Sequence, residues 1–202
     1  MKKFILAVLI FVSACPSAFA SPDRVKKADA GIHFGGFFQQ DGDISDGFIA
    51  GGSIAYGVNK NVAIGMSAGW SGSDLEVQQS GNTIDGGNVS IVPLFGEIIF
   101  RAPNSSAFVP YAVIGLGTVL PYVEGGSLSN VNLKATQRTG FAAKFGLGTD
   151  WFLSNNWIFN VDTGYVLTDS NMDIITLDTA TKVDSKDLDY WYLTAGVKYL
   201  YD

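Results

Sequence analysis

Along most of the chain, large apolar residues alternate with small or polar ones. The clearest stretch is Phe141 to Leu167. Phe141, Ala143, Phe145, Leu147, Thr149 and Trp151 form an apolar row, while Ala142, Lys144, Gly146, Gly148 and Asp150 lie between them. After Ser154-Asn155-Asn156 the pattern restarts. Trp157, Phe159, Val161, Thr163 and Tyr165 alternate with Ile158, Asn160, Asp162, Gly164 and Val166. Period two predicts strands, and the tight polar turn makes the pair a hairpin. Each strand runs roughly ten residues, about the span of a tilted strand crossing a bilayer. The large row then faces lipid and the small, charged row a narrow interior.

The same alternation predicts six more strands. The first, about Asp29 to Gln39, puts Ala30, Ile32, Phe34, Gly36 and Phe38 outward and Gly31, His33, Gly35 and Phe37 inward. The second covers about Phe48 to Gly57. The third, Val62 to Ser71, sends Val62, Ile64, Met66, Ala68 and Trp70 outward against a row of small residues. The fourth, Val89 to Arg101, has Val92, Leu94, Gly96, Ile98 and Phe100 outside and Ile91, Phe95 and Glu97 inside. Pro93 interrupts it, which predicts a bulge. The fifth, Phe108 to Leu120, places Ala112, Ile114, Leu116 and Thr118 toward lipid and Gly115 and Gly117 inward. The eighth, Tyr190 to Asp202, sets Trp191, Leu193, Ala195, Val197, Tyr199 and Tyr201 against Tyr192, Thr194, Gly196, Lys198 and Leu200.

Short turns follow strands two, four and six; longer segments, expected as loops, follow the others and include 72–88, 121–138 and 168–188. This alternation is what a transmembrane barrel requires, and an even strand count closes the sheet without an edge. The fold expected is an all-β, eight-stranded antiparallel transmembrane β-barrel over 29–202, with short periplasmic turns and longer extracellular loops. Two aromatic girdles are expected: Phe100, Phe108, Trp151, Phe152, Trp157, Tyr199 and Tyr201 near the turns, and Phe38, Phe48, Trp70, Tyr165 and Trp191 near the loops.

The N-terminus adds a destination. In residues 1–20, Lys2 and Lys3 precede an apolar Phe4–Val12 run, and Ala18-Phe19-Ala20 forms an A-x-A site before Ser21. That is a signal peptide, cleaved after Ala20, and residues 21–28 become a periplasmic lead-in. Val12-Ser13-Ala14-Cys15 also resembles a lipobox, where processing would leave a lipidated Cys15; Pro16 and the downstream A-x-A argue against it. Cys15 is the only cysteine, so the expected mature chain has no disulfide or thiol chemistry. Outside the leader no apolar run is long enough for a membrane helix. The net charge of −6 and pI near 4.6 argue against a nucleic-acid partner. The 24 glycines and 13% aromatic content suit a tightly curved β protein.

Several motifs carry a family resemblance: Val92-Pro93-Leu94, Val109-Pro110-Tyr111 with Gly115-x-Gly117, Gly146-x-Gly148-x-Asp150, Ser154-Asn155-Asn156-Trp157, and the closing Gly196-x-Lys198-Tyr199. Over about 29–202 the chain resembles small outer-membrane β-barrels, OmpW-like proteins in particular. The resemblance implies eight strands and passage of small hydrophobic solutes, as a narrow pore or lateral-release channel, with no catalytic signature. Outer-membrane lipid, lipopolysaccharide and the barrel-assembly machinery are the expected partners. The aromatic-rich last strand resembles the assembly signal, although Asp202 stands where such proteins usually end in Phe.

The inward residues that carry chemistry are His33, Phe95, Glu97, Lys144, Asp150, Asp162 and Lys198. Counting from the turns places Glu97, Asp150, Asp162 and Lys198 at similar heights. Lys198 is expected to meet Asp162 across neighbouring strands, with Asp150 and Glu97 sharing the same cation. An inward charge must be paired or hydrated, so the set is either a constriction or a structural salt-bridge network. His33 is the only histidine, and its row neighbours Gly31 and Gly35 offer no nucleophile, which argues against an enzyme despite lipid-modifying barrels of this size. The loop acids, Asp41-x-Asp43 included, lack a complete calcium pattern, and neither a metal nor a cofactor is expected. The competing class is a structural or receptor barrel whose outer loops bind a partner.

Overall fold

The computed structural model describes residues 23–39, 46–79, 82–124, 133–169, 171–176 and 182–201. The expected leader with Cys15 and Ala20, and the loop acids Asp41, Asp43 and Asp178, lie outside the described residues. Among the described residues eleven strands follow one another: β1 (Ala28–Gln39), β2 (Gly47–Gly57), β3 (Val62–Gln79), β4 (Asn82–Arg101), β5 (Phe108–Glu124), β6 (Leu133–Arg138), β7 (Gly140–Phe152), β8 (Trp157–Thr168), β9 (Asn171–Thr176), β10 (Lys182–Asp187) and β11 (Tyr190–Tyr201). Eight of them close an antiparallel barrel in the order β1-β11-β8-β7-β5-β4-β3-β2.

The two rows of side chains separate as the alternation requires. Ile32, Phe34, Met66 and Leu147 point outward and are 63–70% exposed, while Phe37 and Val113, on the opposite faces of β1 and β5, are at most 3% exposed. A belt of exposed Ile, Leu, Phe and Met on this scale has no place in water but is the expected contact surface for lipid. Aromatic rings interlock across neighbouring strands at both rims. At the turn end Phe108 stacks on Trp151 at 5.2 Å and Trp157 meets Tyr199 at 5.1 Å; at the loop end Phe48 meets Trp70 at 5.1 Å and Tyr165 meets Trp191 at 4.9 Å. Phe152 is the exception to the expected girdle. It lies on the inward row of β7, 1% exposed, and packs with Val109, Ile158 and Leu200 at the turn end of the interior.

Two expectations are corrected. The segments 72–88, 121–138 and 168–188 are not simple loops. β3 and β4 continue as a hairpin to Gln79 and Asn82, and β6, β9 and β10 form a separate three-stranded sheet in the order β10-β9-β6. Polar sequence conceals these strands because a hairpin beyond the membrane needs no apolar row. Pro93 also makes no bulge. The β3–β4 register is the same on both sides of it, from Val62↔Phe100 to Ala68↔Leu94 and again from Ser71↔Ile91, and the register shifts instead between Leu75 and Glu76. At Pro93 only the pairings of Gly69 and Trp70 are missing. Proline has no N–H, so the ladder donor that the Gly69 carbonyl would accept from is gone while the strand stays extended. On its other side Pro93 pairs with Val119 without interruption.

Candidate functional site: the barrel interior

The interior is built in layers. At the loop end Phe37, Ile49, Ile91, Val119, Val166 and Tyr190 belong to one buried apolar cluster. Phe37 and Tyr190 meet edge to face at 5.6 Å. Below this lie two charged tiers.

The upper tier is centred on Glu97, 8% exposed on β4. It accepts from Lys144 Nζ at 2.8 Å and from the Ser67 hydroxyl at 2.6 Å. Register explains the set: Glu97 is opposite Gly65 and Gly115, and Gly115 is opposite Lys144. The glycine between them lets the two long side chains meet across β5. Lys144 Nζ also sits over the Tyr192 ring at 5.1 Å and the Phe95 ring at 6.0 Å, so its charge is held by a carboxylate and two π faces.

The lower tier is a floor at the turn end. Asp150, 1% exposed, accepts from Lys198 Nζ at 3.0 Å and Arg24 Nη1 at 2.5 Å. Asp29 Oδ2 accepts from Arg24 Nη2 at 2.6 Å and Arg101 Nη2 at 2.9 Å. Arg24 lies over Phe152 at 5.5 Å, and Lys198 over Tyr111 at 5.0 Å. Two carboxylates and three cations thus close the turn end.

The expected pairing of Lys198 with Asp162 is corrected. Lys198 is opposite Ile158 on β8, whereas Asp162 is opposite Thr194, four residues further along β11. Lys198 instead reaches across to Asp150 on β7. Asp162 is held by a neutral donor, the Tyr111 hydroxyl, at 2.9 Å. Glu97 does not share the cation of Asp150, and the four charges do not occupy one height. Among the described residues the set of inward charges is also larger than expected. Asp29, Glu97, Asp150 and Asp162 face Arg24, Arg101, Lys144 and Lys198, four against four. Asp29 and Arg101 were legible by following the inward rows of Gly31-His33 and Phe95-Glu97 to their strand ends. Arg24 carried no such signal.

From the lower tier, past Glu97, to the apolar cluster runs a cavity of about 70 Å³. His33, Phe95, Glu97, Lys144, Asp162 and Lys198 line it; Asp150 does not. The His33 ring lies over Gly51, where a Cβ would come within 2.7 Å of Nε2. Asn160 Oδ1, Asp162 Oδ1 and Tyr192 OH belong to the lining and have no protein partner, which makes the space suited to a few waters. The lining also includes Gly69 and Pro93, at the gap in the β3–β4 ladder, and the outward-facing Ala68 beside it.

A model of the outer membrane protein beta-barrel domain matches residues 4–200. The chain belongs to this family. It is accordingly a protein of the bacterial outer membrane, and its exposed apolar belt is the surface that meets lipid. Solved structures of similar fold include the outer membrane protein OprG from Pseudomonas aeruginosa, 16% identical, with 88% of this chain and 97% of that one covered at a TM-score of 0.70. AlkL, solved in DMPC bilayers, is 18% identical, with coverage of 93% and 96% and a TM-score of 0.60. Neisserial surface protein A is 16% identical, with coverage of 86% and 95% and a TM-score of 0.51. At these identities the likeness is one of fold. No curated protein matches the chain.

Proposed function

We propose that the barrel passes small, largely hydrophobic solutes from its loop end sideways into the membrane, and does not conduct them straight through. The observation that carries this reading is the gap at Gly69 and Pro93. It borders the interior cavity and is the one place where the β3–β4 pairing lapses within an unshifted register. An apolar cluster above suits an apolar solute, and the charged floor below is a costly path for one. His33, Phe95, Glu97, Lys144, Asp162 and Lys198 then border the route, and Asp150 anchors the floor. The chemistry assigned to them is packing and charge pairing, not catalysis. Lipopolysaccharide would surround the loop end, and β11 would engage the assembly machinery.

The test is Pro93→Ala, which returns a backbone N–H to the seam. One added hydrogen bond is worth ~0.5–1.5 kcal/mol, so uptake of a small lipophilic fluorophore by cells carrying the variant should fall about 2- to 10-fold. Unchanged uptake with a folded barrel would refute the lateral route. A second reading is a receptor barrel, favoured by the β10-β9-β6 sheet, whose outer strands β10 and β6 pair with nothing further among the described residues. Replacing residues 171–187 by a short turn should leave uptake intact under the first reading and abolish partner binding under the second.

A further inference from the structure

Arg24 is the one member of the floor that no barrel strand supplies. It precedes β1, yet it is 5% exposed and reaches Asp29 and Asp150. Its segment is tied to the turn end of β2 by main-chain bonds: Lys26 N donates to Gly57 O at 2.7 Å, and Gly57 N donates to Lys27 O at 2.9 Å. Lys27 N closes a turn onto Arg24 O at 3.3 Å, and Lys26 takes a φ of 60° within it. Gly57 is required by this arrangement, because a Cβ there would run into the Arg24 carbonyl oxygen. The segment is therefore docked by a tight turn, a glycine contact and a buried guanidinium, while Asp23 and Lys26 beside it stay exposed.

The floor does not need Arg24 to balance its carboxylates. Asp29 keeps Arg101, and Asp150 keeps Lys198, if Arg24 leaves. With Arg24 present the floor holds three cations against two carboxylates. It then has more donors than acceptors: Arg24 Nε and Arg101 Nε and Nη1 are buried without a partner. Arg24 evens the interior charges as a whole, but within the floor it adds a third cation to two carboxylates that strand-borne cations already hold.

We infer that residues 23–27 form a strap whose Arg24 stoppers the turn end of the lumen, shutting the cavity off from the periplasm. The strap deepens the lateral-release reading on which it rests, since it removes the axial exit and leaves the side route.

The inference is tested by thiol accessibility in a Cys15→Ser background. Ser53→Cys puts one thiol on the cavity wall, and a membrane-impermeant trimethylammonium methanethiosulfonate reports access to it. Two variants unseat the strap by different means. Arg24→Ala removes the stopper; Gly57→Ala keeps every charge and displaces the segment sterically. Folding is checked by heat-modifiable electrophoretic mobility. Labelling should be at least about tenfold faster in both variants than in the parent, as expected where local opening governs access. Parent-like labelling in the folded variants overturns the inference. So does failure of both to fold, which would make Arg24 part of the barrel frame. If labelling rises while Pro93→Ala leaves fluorophore uptake unchanged, the strap stands as a seal and only the lateral route fails.

Discussion

Asp150→Asn should destabilise the barrel by about 3–5 kcal/mol, because removing one side of a buried ion pair leaves its partners charged and unpaired. Asp150 is the acceptor for both Arg24 and Lys198. Without it, Lys198 loses its carboxylate, and Arg24 and Arg101 both rest on Asp29. Water reaching the turn end would bring the loss toward the lower figure. Urea unfolding in lipid vesicles measures it, and a double-mutant cycle identifies the partner. Lys198→Met combined with Asp150→Asn should cost clearly less than the sum of the single changes. Lys198→Met combined with Asp162→Asn should come much closer to additivity, since those residues share no direct contact. The reverse pattern would mean that β8 and β11 pair four residues away from the register described here.

Leu147→Arg should cost about 2–4 kcal/mol, the price of a charge at the lipid midplane of a barrel. Leu147 is 65% exposed, mid-strand on β7, with Ala112 and Thr163 as its ladder neighbours. One residue away the physics changes. A side chain at Gly146 would run into the Tyr192 hydroxyl and lie 2.9 Å from Val113 Cγ1. Gly146→Val should therefore lose ~1–3 kcal/mol through overpacking of the interior, with no dependence on lipid thickness. Measured in bilayers of two thicknesses, the Leu147→Arg loss should change and the Gly146→Val loss should not. If Leu147→Arg unfolds with the stability of the parent, the face assignment of β7 is wrong.

The separation of faces was legible because period two is a local property. Ile32 against His33, or Leu147 against Gly146, is decided within three residues. The partner of Lys198 was not legible, because register depends on how each turn is built. Tyr199 is opposite Trp157, so Lys198 lands opposite Ile158 at the foot of β8, and Asp162 stands a full four residues higher. Counting from turn ends cannot recover that offset. Pro93 was legible as a disturbance but not as a kind of disturbance. A missing donor and a bulge look alike in sequence, and only the unbroken register separates them. The β6-β9-β10 sheet pairs segments from two different loops, and neither segment alternates strongly enough to announce a strand. Arg24 was hidden by its setting: within SPDRVKKA it looks like one more solvated charge, and only the closure of β1 on β11 and β2 creates the pocket that buries it.

Ion conductance of the refolded protein in planar bilayers, recorded beside the flux of a small lipophilic solute, tests the central claim most directly. A floor made by Arg24, Asp29, Arg101, Asp150 and Lys198, with a seam at Pro93, predicts solute flux without stable ohmic steps. Stable conductance steps that persist with Arg24 seated, or a parent protein that passes neither ions nor solute, would contradict it.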